Sequence, residues 1–243
     1  MPVTPFLEHS HDPKEIARRL REGPRISYLR DWVYGGIDGT VTTFAIVAGS
    51  IGADLASRYV LILGVANLLA DGFSMAAANY SGTKAEVEEY SLVREMEERH
   101  IETEPEGERE EIRQIFIAKG FKGKTLKDAV DVITAEKERW IDTMMTEEHG
   151  LPRIARSPVT AGVFTFLAFV ICGFLPVAPF AFDINAGLLT STVMAAFTFF
   201  TIGSLRSHWS PVHWLRAGSE TLAIGLASAG VAYLVGDFLK QIV

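Results

Sequence analysis

Acidic and imidazole side chains recur at helical spacing in the middle of the chain. Glu97 and His100 are three residues apart, and so are Glu108 and Glu111. Residues three or four apart lie on one face of a helix, so each pair presents two potential metal ligands together. The Glu-x-x-His spacing is also the one that di-iron carboxylate bundles use. The pattern therefore indicates a candidate metal site on packed helices.

Thioether side chains follow at the end of this charged region. Met144 and Glu148 are four residues apart, and Met145 lies beside them. Carboxylate, imidazole and thioether donors together suit Fe²⁺, Mn²⁺, Co²⁺ or Zn²⁺, whereas Mg²⁺ and Ca²⁺ prefer oxygen alone. The alternative interpretation is that these residues form ordinary solvated helix faces, because Glu-x-x-Glu spacing occurs in any acidic helix.

A further carboxylate lies inside an apolar stretch. Asp38 is the single formal charge between Trp32 and Ile51, a run long enough to cross a bilayer as a helix. A lone carboxylate in lipid is costly, so such a residue faces a partner, a cavity or a transported ion. The surrounding Gly and Thr residues make the helix surface small, which either leaves room for an ion or permits close packing. Both roles for Asp38 remain open at this point.

A polar stripe runs along the next apolar segment, Tyr59 to Gly82. Asn67, Asp71 and Met75 are spaced four and four apart, which places them on one helix face. A methionine alone is usually core filler, but beside two oxygen donors it is also a candidate ligand. We expect this second spanning helix to continue out of the bilayer, without a break, as far as Pro105.

Charged and apolar segments divide the chain into four parts. Charges crowd near the N-terminus and in the middle, and three more apolar segments begin at Pro158, Ala186 and Ala217. The segregation predicts an all-α membrane protein with five transmembrane helices and a cytosolic helical metal-binding domain inserted between helices 2 and 3. The predicted parts are a cytosolic N-terminal amphipathic segment (1–31), transmembrane helices 1 and 2 (32–84), the metal-binding domain (85–155) and transmembrane helices 3 to 5 (156–243).

Caps and breakers set the expected helix limits. Asp12 followed by Pro13 predicts an N-cap and a short amphipathic helix on the membrane surface. The third spanning helix is expected to run from Pro158 to Pro176. The charged region is expected to hold three more helices, at about Glu108 to Lys119, from about Thr125, and from about Thr134 to His149.

Composition bounds the partners and the compartment. The chain has 243 residues and a net charge of −7, largely from the acidic middle, which favours cations and argues against nucleic acid. Cys172 is the single cysteine, so no intramolecular disulfide can form. The N-terminus has no signal-peptide pattern. Lys and Arg concentrate at one set of span ends, which predicts that the N-terminus and residues 85–155 are cytoplasmic.

Three functions fit these residues. The first is a transporter that exports Fe²⁺ or Mn²⁺ from the cytosol in exchange for protons, with Asp38 and Asp71 binding protons or cation. The second is a membrane-tethered carboxylate ferroxidase with a two-metal site, and the third is a sensor or scaffold that the membrane helices only anchor. An enzyme or a sensor has no need of carboxylates deep in the bilayer. The sequence therefore favours a transporter, not an enzyme, with a divalent transition metal as substrate and no organic cofactor. The ferroxidase site would use Glu97, His100, Glu108, Glu111 and Glu148.

Two motifs are similar to those of a known family. Asp38 to Gly49 reads DGTVTTFAIVAG, and Asn67 to Met75 reads NLLADGFSM. These runs resemble the vacuolar iron transporter family, and more closely its bacterial branch. Glu86, the WIDTMM run at 140–145 and Glu220 also fit, so the resemblance covers about residues 30–240.

The resemblance implies a function and an assembly. It implies a homodimer of five-helix subunits in the bilayer, here a bacterial inner (cell) membrane, that exchanges cytosolic Fe²⁺ for protons. It also implies a pore at the dimer interface, with a cytosolic helical domain that gathers metal beneath it.

Site residues also follow from the resemblance. Asp38 and Met75 correspond to metal ligands in the membrane. In the cytosolic domain the implied ligands are Glu97, Glu108, Glu111, Met144, Met145 and Glu148, and His100 stands where family members often have glutamate.

Proton coupling is where this chain departs from the family. Plant members have a glutamate where this chain has Asn67, and Asp71, one turn further along the same face, could supply the missing carboxylate. Glu220 in the last span is the next candidate for proton coupling.

Overall fold

The computed structural model describes residues 10–23, 26–153, 156–184 and 187–242. Residues 1–9, 24–25, 154–155, 185–186 and 243 of the predicted parts lie outside it, and these include Ala186, the predicted first residue of the fourth span. The described residues form α-helices joined by short turns, and one short 3-10 helix at Arg206–Trp209. The α-helices are α1 (Pro13–Glu22), α2 (Leu29–Gly52), α3 (Ser57–Thr103), α4 (Pro105–Ala118), α5 (Gly123–Thr134), α6 (Lys137–Glu147), α7 (Pro158–Ala181), α8 (Gly187–Leu205) and α9 (Trp214–Lys240).

The N-terminal helix begins as its cap residue predicts. The Asp12 side chain accepts hydrogen bonds from the backbone N–H groups of Lys14 and Glu15, and Pro13 occupies the first turn of α1. No residue of α1 is buried. Its position on a membrane surface stays a prediction.

Within the described residues, four helices are long and apolar enough to cross a membrane. They are α3, α7, α9, and α8 taken together with the 3-10 helix after it. The predicted first span, α2, is not among them, because Asp31, Asp38 and many Gly and Thr residues lower its hydropathy. α2 packs against α3, α7, α8 and α9, however. A helix surrounded by other helices does not need an apolar surface on every side.

Glycines bring α2 close to its neighbours. A Cβ atom at Gly35 or Gly39 would clash with the carbonyl oxygens of Thr165 and Phe169 on α7. At the far end, a Cβ at Gly52 would clash with the carbonyl oxygen of Tyr233 on α9. Small residues at helix crossings let backbones approach in this way. The packing role expected of the small residues around Asp38 is therefore confirmed.

The second predicted span is one unbroken helix, as expected. α3 has 47 residues, which corresponds to a length of about 70 Å at 1.5 Å per residue. Its N-terminal half packs on α2 and α7, and its C-terminal half packs on α4 and α6. The same rigid element therefore carries both the polar stripe and the Glu97–His100 pair.

The third apolar helix is longer than predicted. α7 continues through Pro176 and Pro179 to Ala181, so its predicted end at Pro176 is wrong. A proline removes one backbone hydrogen bond without preventing the next turn when neighbouring helices support the segment. The Ser191 hydroxyl of α8 gives such support, because it donates to the Pro176 carbonyl at 2.6 Å.

The charged region folds around a small apolar core of its own. α4, α5 and α6 pack together at the C-terminal half of α3. The core consists of Ile101, Ile112, Val130, Trp140, Ile141, Met144 and Met145. The three helices after α3 were predicted, with limits that differ from the observed ones by one to three residues.

Candidate metal centre

A buried glutamate lies at the centre of the charged region. Glu97, on the last turns of α3, is 2% exposed. Its Oε1 atom is 2.9 Å from Nε2 of His149. Its Oε2 atom is buried without a hydrogen-bond partner among the described residues. A buried carboxylate oxygen without a donor costs free energy, and a bound cation would remove that cost.

A second buried glutamate faces the first from the next helix. The chain reverses at Glu104 and Pro105, so the first turn of α4 returns against the end of α3. Glu108 in that turn is 5% exposed, with Oε1 at 3.3 Å from Nδ1 of the exposed His100. Its Oε2 atom is likewise unpartnered within the described ranges. The reversal therefore joins the two predicted pairs into one cluster.

Burial and crowding change the protonation of this cluster. Burial, then the negative charges of Glu97 and Glu111, raise the pKa of Glu108 to about 7. Burial and the neighbouring Glu111 also raise the pKa of Glu148, against the opposing effect of His149. Carboxylates that repel one another at close range are what a divalent cation stabilises. Glu97, Glu108, Glu111 and Glu148 are thus brought together as predicted, and metal binding by them stays a proposal.

His149 was missed by the sequence analysis. It is the third member of a group in which one ligand atom each from Glu97, Glu148 and His149 lie within 4.8 Å of one another. It lies beyond the last turn of α6 and was not among the pairs that helical spacing singled out, although Met145 is four positions before it. The available signal was a histidine immediately before Gly150, a residue that commonly ends helices.

The two methionines lie in the apolar core beneath the carboxylates. Met144 and Met145 are 0% and 1% exposed and pack with residues such as Ile112 and Ile141. They have the surroundings of core side chains, and their role as thioether ligands remains a prediction. Both interpretations are compatible with their position on α6, one turn before Glu148.

Metal-free protein should lose stability as the pH rises. Glu108 has a pKa of about 7 when folded, against 4.5 as the ordinary value, so the folded state binds the proton more tightly. The stabilisation is therefore complete below about pH 4.5 and is lost by about pH 7, by at most about 3 kcal/mol for this group. Urea unfolding of chelator-treated protein at pH 5 and pH 8 measures the difference. Glu108→Gln should flatten the dependence, and an equal slope in that variant would contradict this assignment.

The membrane carboxylates also lie near each other. Asp38 on α2 and Asp71 on α3 are close enough for their charges to interact. Asn67 donates from Nδ2 to the Thr42 hydroxyl at 3.2 Å, which ties the polar stripe of α3 to α2. The predicted stripe therefore faces the helix that carries Asp38.

Met75 lines a cavity at the junction between the apolar and charged halves. The cavity has a volume of about 680 Å³, and its wall includes Met75, Asn79, Glu86, Asp31 and Arg156. Asp38 is not part of its wall among the residues described.

Two carboxylates, Asp31 and Glu220, form ion pairs at helix ends near this cavity. Arg156, just before α7, donates to both carboxylate oxygens of the buried Asp31 at 2.6 and 2.8 Å, and Asn79 donates to the same group at 2.9 Å. Glu220 accepts from Arg206 at 2.9 Å and from Arg216 at 3.3 Å. The role of Glu220 in proton coupling remains a prediction.

Comparison with known proteins decides the family. The profile of the VIT family matches residues 29–237, which is most of the chain. The chain belongs to the VIT family. A VIT-family chain with four helices of spanning length and hydropathy is an integral membrane protein.

Relatives of this VIT-family chain come from several eukaryotes. It is 34% identical over 228 residues to "Vacuolar iron transporter" of Toxoplasma gondii, with 89% of this chain and 76% of that protein covered. It is 29% identical over 216 residues to "Vacuolar iron transporter 1" of Arabidopsis thaliana, covering 88% and 86%. A Plasmodium falciparum protein, "Vacuolar iron transporter", is 26% identical, with 88% and 82% covered.

Proposed function

We propose that this protein is a transporter that moves Fe²⁺, and also Mn²⁺, out of the cytosol in exchange for protons. The relatives named vacuolar iron transporters support iron as the substrate. The assignment to a bacterial branch and a bacterial cell membrane stays a prediction, since the relatives described above are eukaryotic. In this proposal the metal is the cargo, and no organic cofactor takes part.

One observation carries the proposal. A single unbroken helix, α3, bears Asp71 and Met75 in its apolar half and Glu97 and His100 in its charged half. Met75 and Glu97 are 22 positions apart, or about 33 Å along the helix axis. A ferroxidase or a sensor could use the buried Glu97 cluster, but neither would use the polar stripe inside the membrane.

The proposed route starts at the acidic cluster. The carboxylates of Glu97, Glu108, Glu111 and Glu148 would concentrate divalent ions electrostatically at the cytosolic side. The cavity at Met75 would then admit the ion to Met75, and the ion would pass from there to Asp38, which lies outside the described wall of the cavity. Desolvated carboxylates bind either protons or a divalent cation, and this competition is the minimal basis of exchange.

The proposed arrangement in the membrane has five spans and two subunits. α2 would be the first span, at the centre of each bundle, and residues 85–155 would form the cytoplasmic domain inserted between α3 and α7. A homodimer would cover part of the apolar surface, since only 28% of the spanning part of α3 and 17% of that of α9 are buried within one chain. The remaining apolar surface would contact lipid.

Metal uptake into proteoliposomes tests the proposal. Purified protein is reconstituted with a metal-sensitive dye inside, and Fe²⁺, Mn²⁺, Co²⁺, Mg²⁺ and Ca²⁺ are added outside under anaerobic conditions. We expect uptake of Fe²⁺ and Mn²⁺ above that of protein-free vesicles, and little uptake of Mg²⁺ or Ca²⁺. Absence of Fe²⁺ uptake in vesicles that contain folded protein would contradict the proposal.

Asp71→Asn should uncouple transport from the proton gradient. Asp71 lies one turn beyond Asn67 and interacts with Asp38, so it is the proposed proton carrier of the pair. We expect the variant to keep binding Fe²⁺ while its uptake becomes nearly independent of the imposed pH gradient. The exposed Asp237→Asn is the matched control. If Asp71→Asn keeps its full gradient dependence, Asp71 is a structural partner and Glu220 becomes the candidate.

A further inference from the structure

The imidazole of His149, a residue that belongs to none of the predicted ligand pairs, faces the buried carboxylate of Glu97 in the charged region. Nε2 of His149 lies 2.9 Å from Oε1 of Glu97 and 3.8 Å from Oε2 of Glu148. We propose that His149 is a metal ligand and that its nitrogen makes this cluster select Fe²⁺, Co²⁺ and Zn²⁺ over Mn²⁺, Mg²⁺ and Ca²⁺. The inference rests on the proposed function in treating the bound ion as cargo.

The spacing of the three ligand atoms suits a small divalent ion. Metal–nitrogen and metal–oxygen bonds of about 2.0 to 2.2 Å in tetrahedral geometry hold ligand atoms about 3.4 Å apart. The distances from His149 to the two carboxylates, 2.9 and 3.8 Å, lie on either side of that value. The two distances to His149 are therefore close to those around a bound ion, and all three ligand atoms lie within 4.8 Å of one another.

Burial supplies an independent reason for a cation here. Glu97 is 2% exposed, and its Oε2 atom has no donor within the described part of the chain. Glu108 approaches Glu97 from α4, and its buried Oε2 atom also has no hydrogen-bond donor among the described residues. The side chain of His149 is 22% exposed, so the imidazole lies near the surface of the charged region.

The end of α6 holds the imidazole in place. The backbone N–H of His149 donates to the Met144 carbonyl, and that of Leu151 donates to the Met145 carbonyl. Between them Gly150 adopts a left-handed conformation with φ of +66°, which glycine adopts without steric cost. The buried methionines anchor this turn in the apolar core. The ligand is therefore positioned before the metal arrives.

A simple ion pair between His149 and Glu97 is the competing explanation. A glutamine at position 149 keeps an N–H donor for Glu97, so it should replace the histidine if only a hydrogen bond matters. Its amide is a harder ligand than imidazole, and imidazole favours the later divalent metals. His149→Gln therefore separates the two roles.

Metal titration of the full-length protein in detergent tests the proposal. Wild-type, His149→Gln and the control His208→Gln, an exposed histidine near α9, are titrated separately with Co²⁺ and with Mn²⁺. We expect His149→Gln to weaken Co²⁺ binding at least about tenfold, to weaken Mn²⁺ binding less, and to change the visible absorption of bound Co²⁺. His208→Gln should match wild type. An unchanged affinity ratio and an unchanged Co²⁺ spectrum in folded His149→Gln would overturn the proposal.

A second measurement needs no variant. Wild-type protein is treated with a histidine-acylating reagent with and without saturating Co²⁺, and modified residues are mapped by mass spectrometry. We expect Co²⁺ to protect His149 but not the exposed His208 and His213. Equal modification of His149 in both samples would overturn the proposal. Fe²⁺ uptake by the same wild-type preparation tests the proposed function separately. Uptake without protection of His149 would contradict the His149 proposal alone, and protection without uptake would contradict transport alone.

Discussion

Asp38→Asn should reduce Fe²⁺ uptake into proteoliposomes by at least about tenfold. The substitution keeps the size of the side chain and removes its charge, so the membrane site loses both a ligand for the cation and a group that exchanges a proton. Binding of Fe²⁺ to the charged region should persist, because Glu97 and its neighbours are unchanged. Uptake and binding measured on the same preparation therefore separate the two sites.

The control for Asp38 is Asp54, a carboxylate just beyond the C-terminal end of α2. Asp54 follows α2, is 80% exposed in its side chain and pairs with Lys240. Asp54→Asn should leave uptake unchanged, since an exposed ion pair contributes little to stability. Equal uptake by Asp38→Asn and wild-type protein would show that Asp38 only packs against its neighbours.

Glu97→Gln should have the largest effect on metal binding to the charged region. Glu97 interacts with His149 and with Glu108, so one substitution removes the carboxylate that the other groups share. We expect the affinity for Fe²⁺ or Co²⁺ at the tightest site to fall at least about tenfold. Isothermal titration calorimetry of the full-length protein measures this change.

The same variant should not destabilise the metal-free protein at neutral pH. Removing the charge of Glu97 relieves its repulsion of Glu108, so the pKa of Glu108 should fall toward its ordinary value. Glu95→Gln, an exposed neighbour on α3, is the matched control and should change neither property. If Glu97→Gln keeps wild-type metal affinity, the buried cluster is a structural feature of the domain and not a metal site.

Helix order and the grouping of the acidic residues were predictable because both depend on local patterns. No breaker interrupts the chain between Ser57 and Thr103, so the continuity of α3 follows from composition alone. The pairs Glu97–His100 and Glu108–Glu111 also follow from helical spacing. What spacing could not provide was the turn at Glu104, which brings the two pairs against each other.

Long-range contacts explain most of what the sequence did not reveal. Asp31 was assigned to the polar N-terminal segment, although it lies buried against Arg156, 125 positions away, and against Asn79. The composition of α2 lowers its hydropathy below that of the other spanning helices, and only its contacts with α3, α7, α8 and α9 show that it is enclosed. His149 lies just past the end of α6, beside the turn at Gly150, and helical spacing does not predict which residue such a turn brings into the cluster.

The most direct test of the account follows both ions in one experiment. Proteoliposomes carrying a metal-sensitive dye and a pH-sensitive dye receive Fe²⁺ outside, under anaerobic conditions. Entry of Fe²⁺ through protein whose charged domain faces outward should make the lumen alkaline, because protons leave in exchange. Asp38→Asn should abolish both signals. Entry of Fe²⁺ without proton movement would contradict exchange, and absence of Fe²⁺ from the lumen of vesicles that contain folded protein would contradict transport itself.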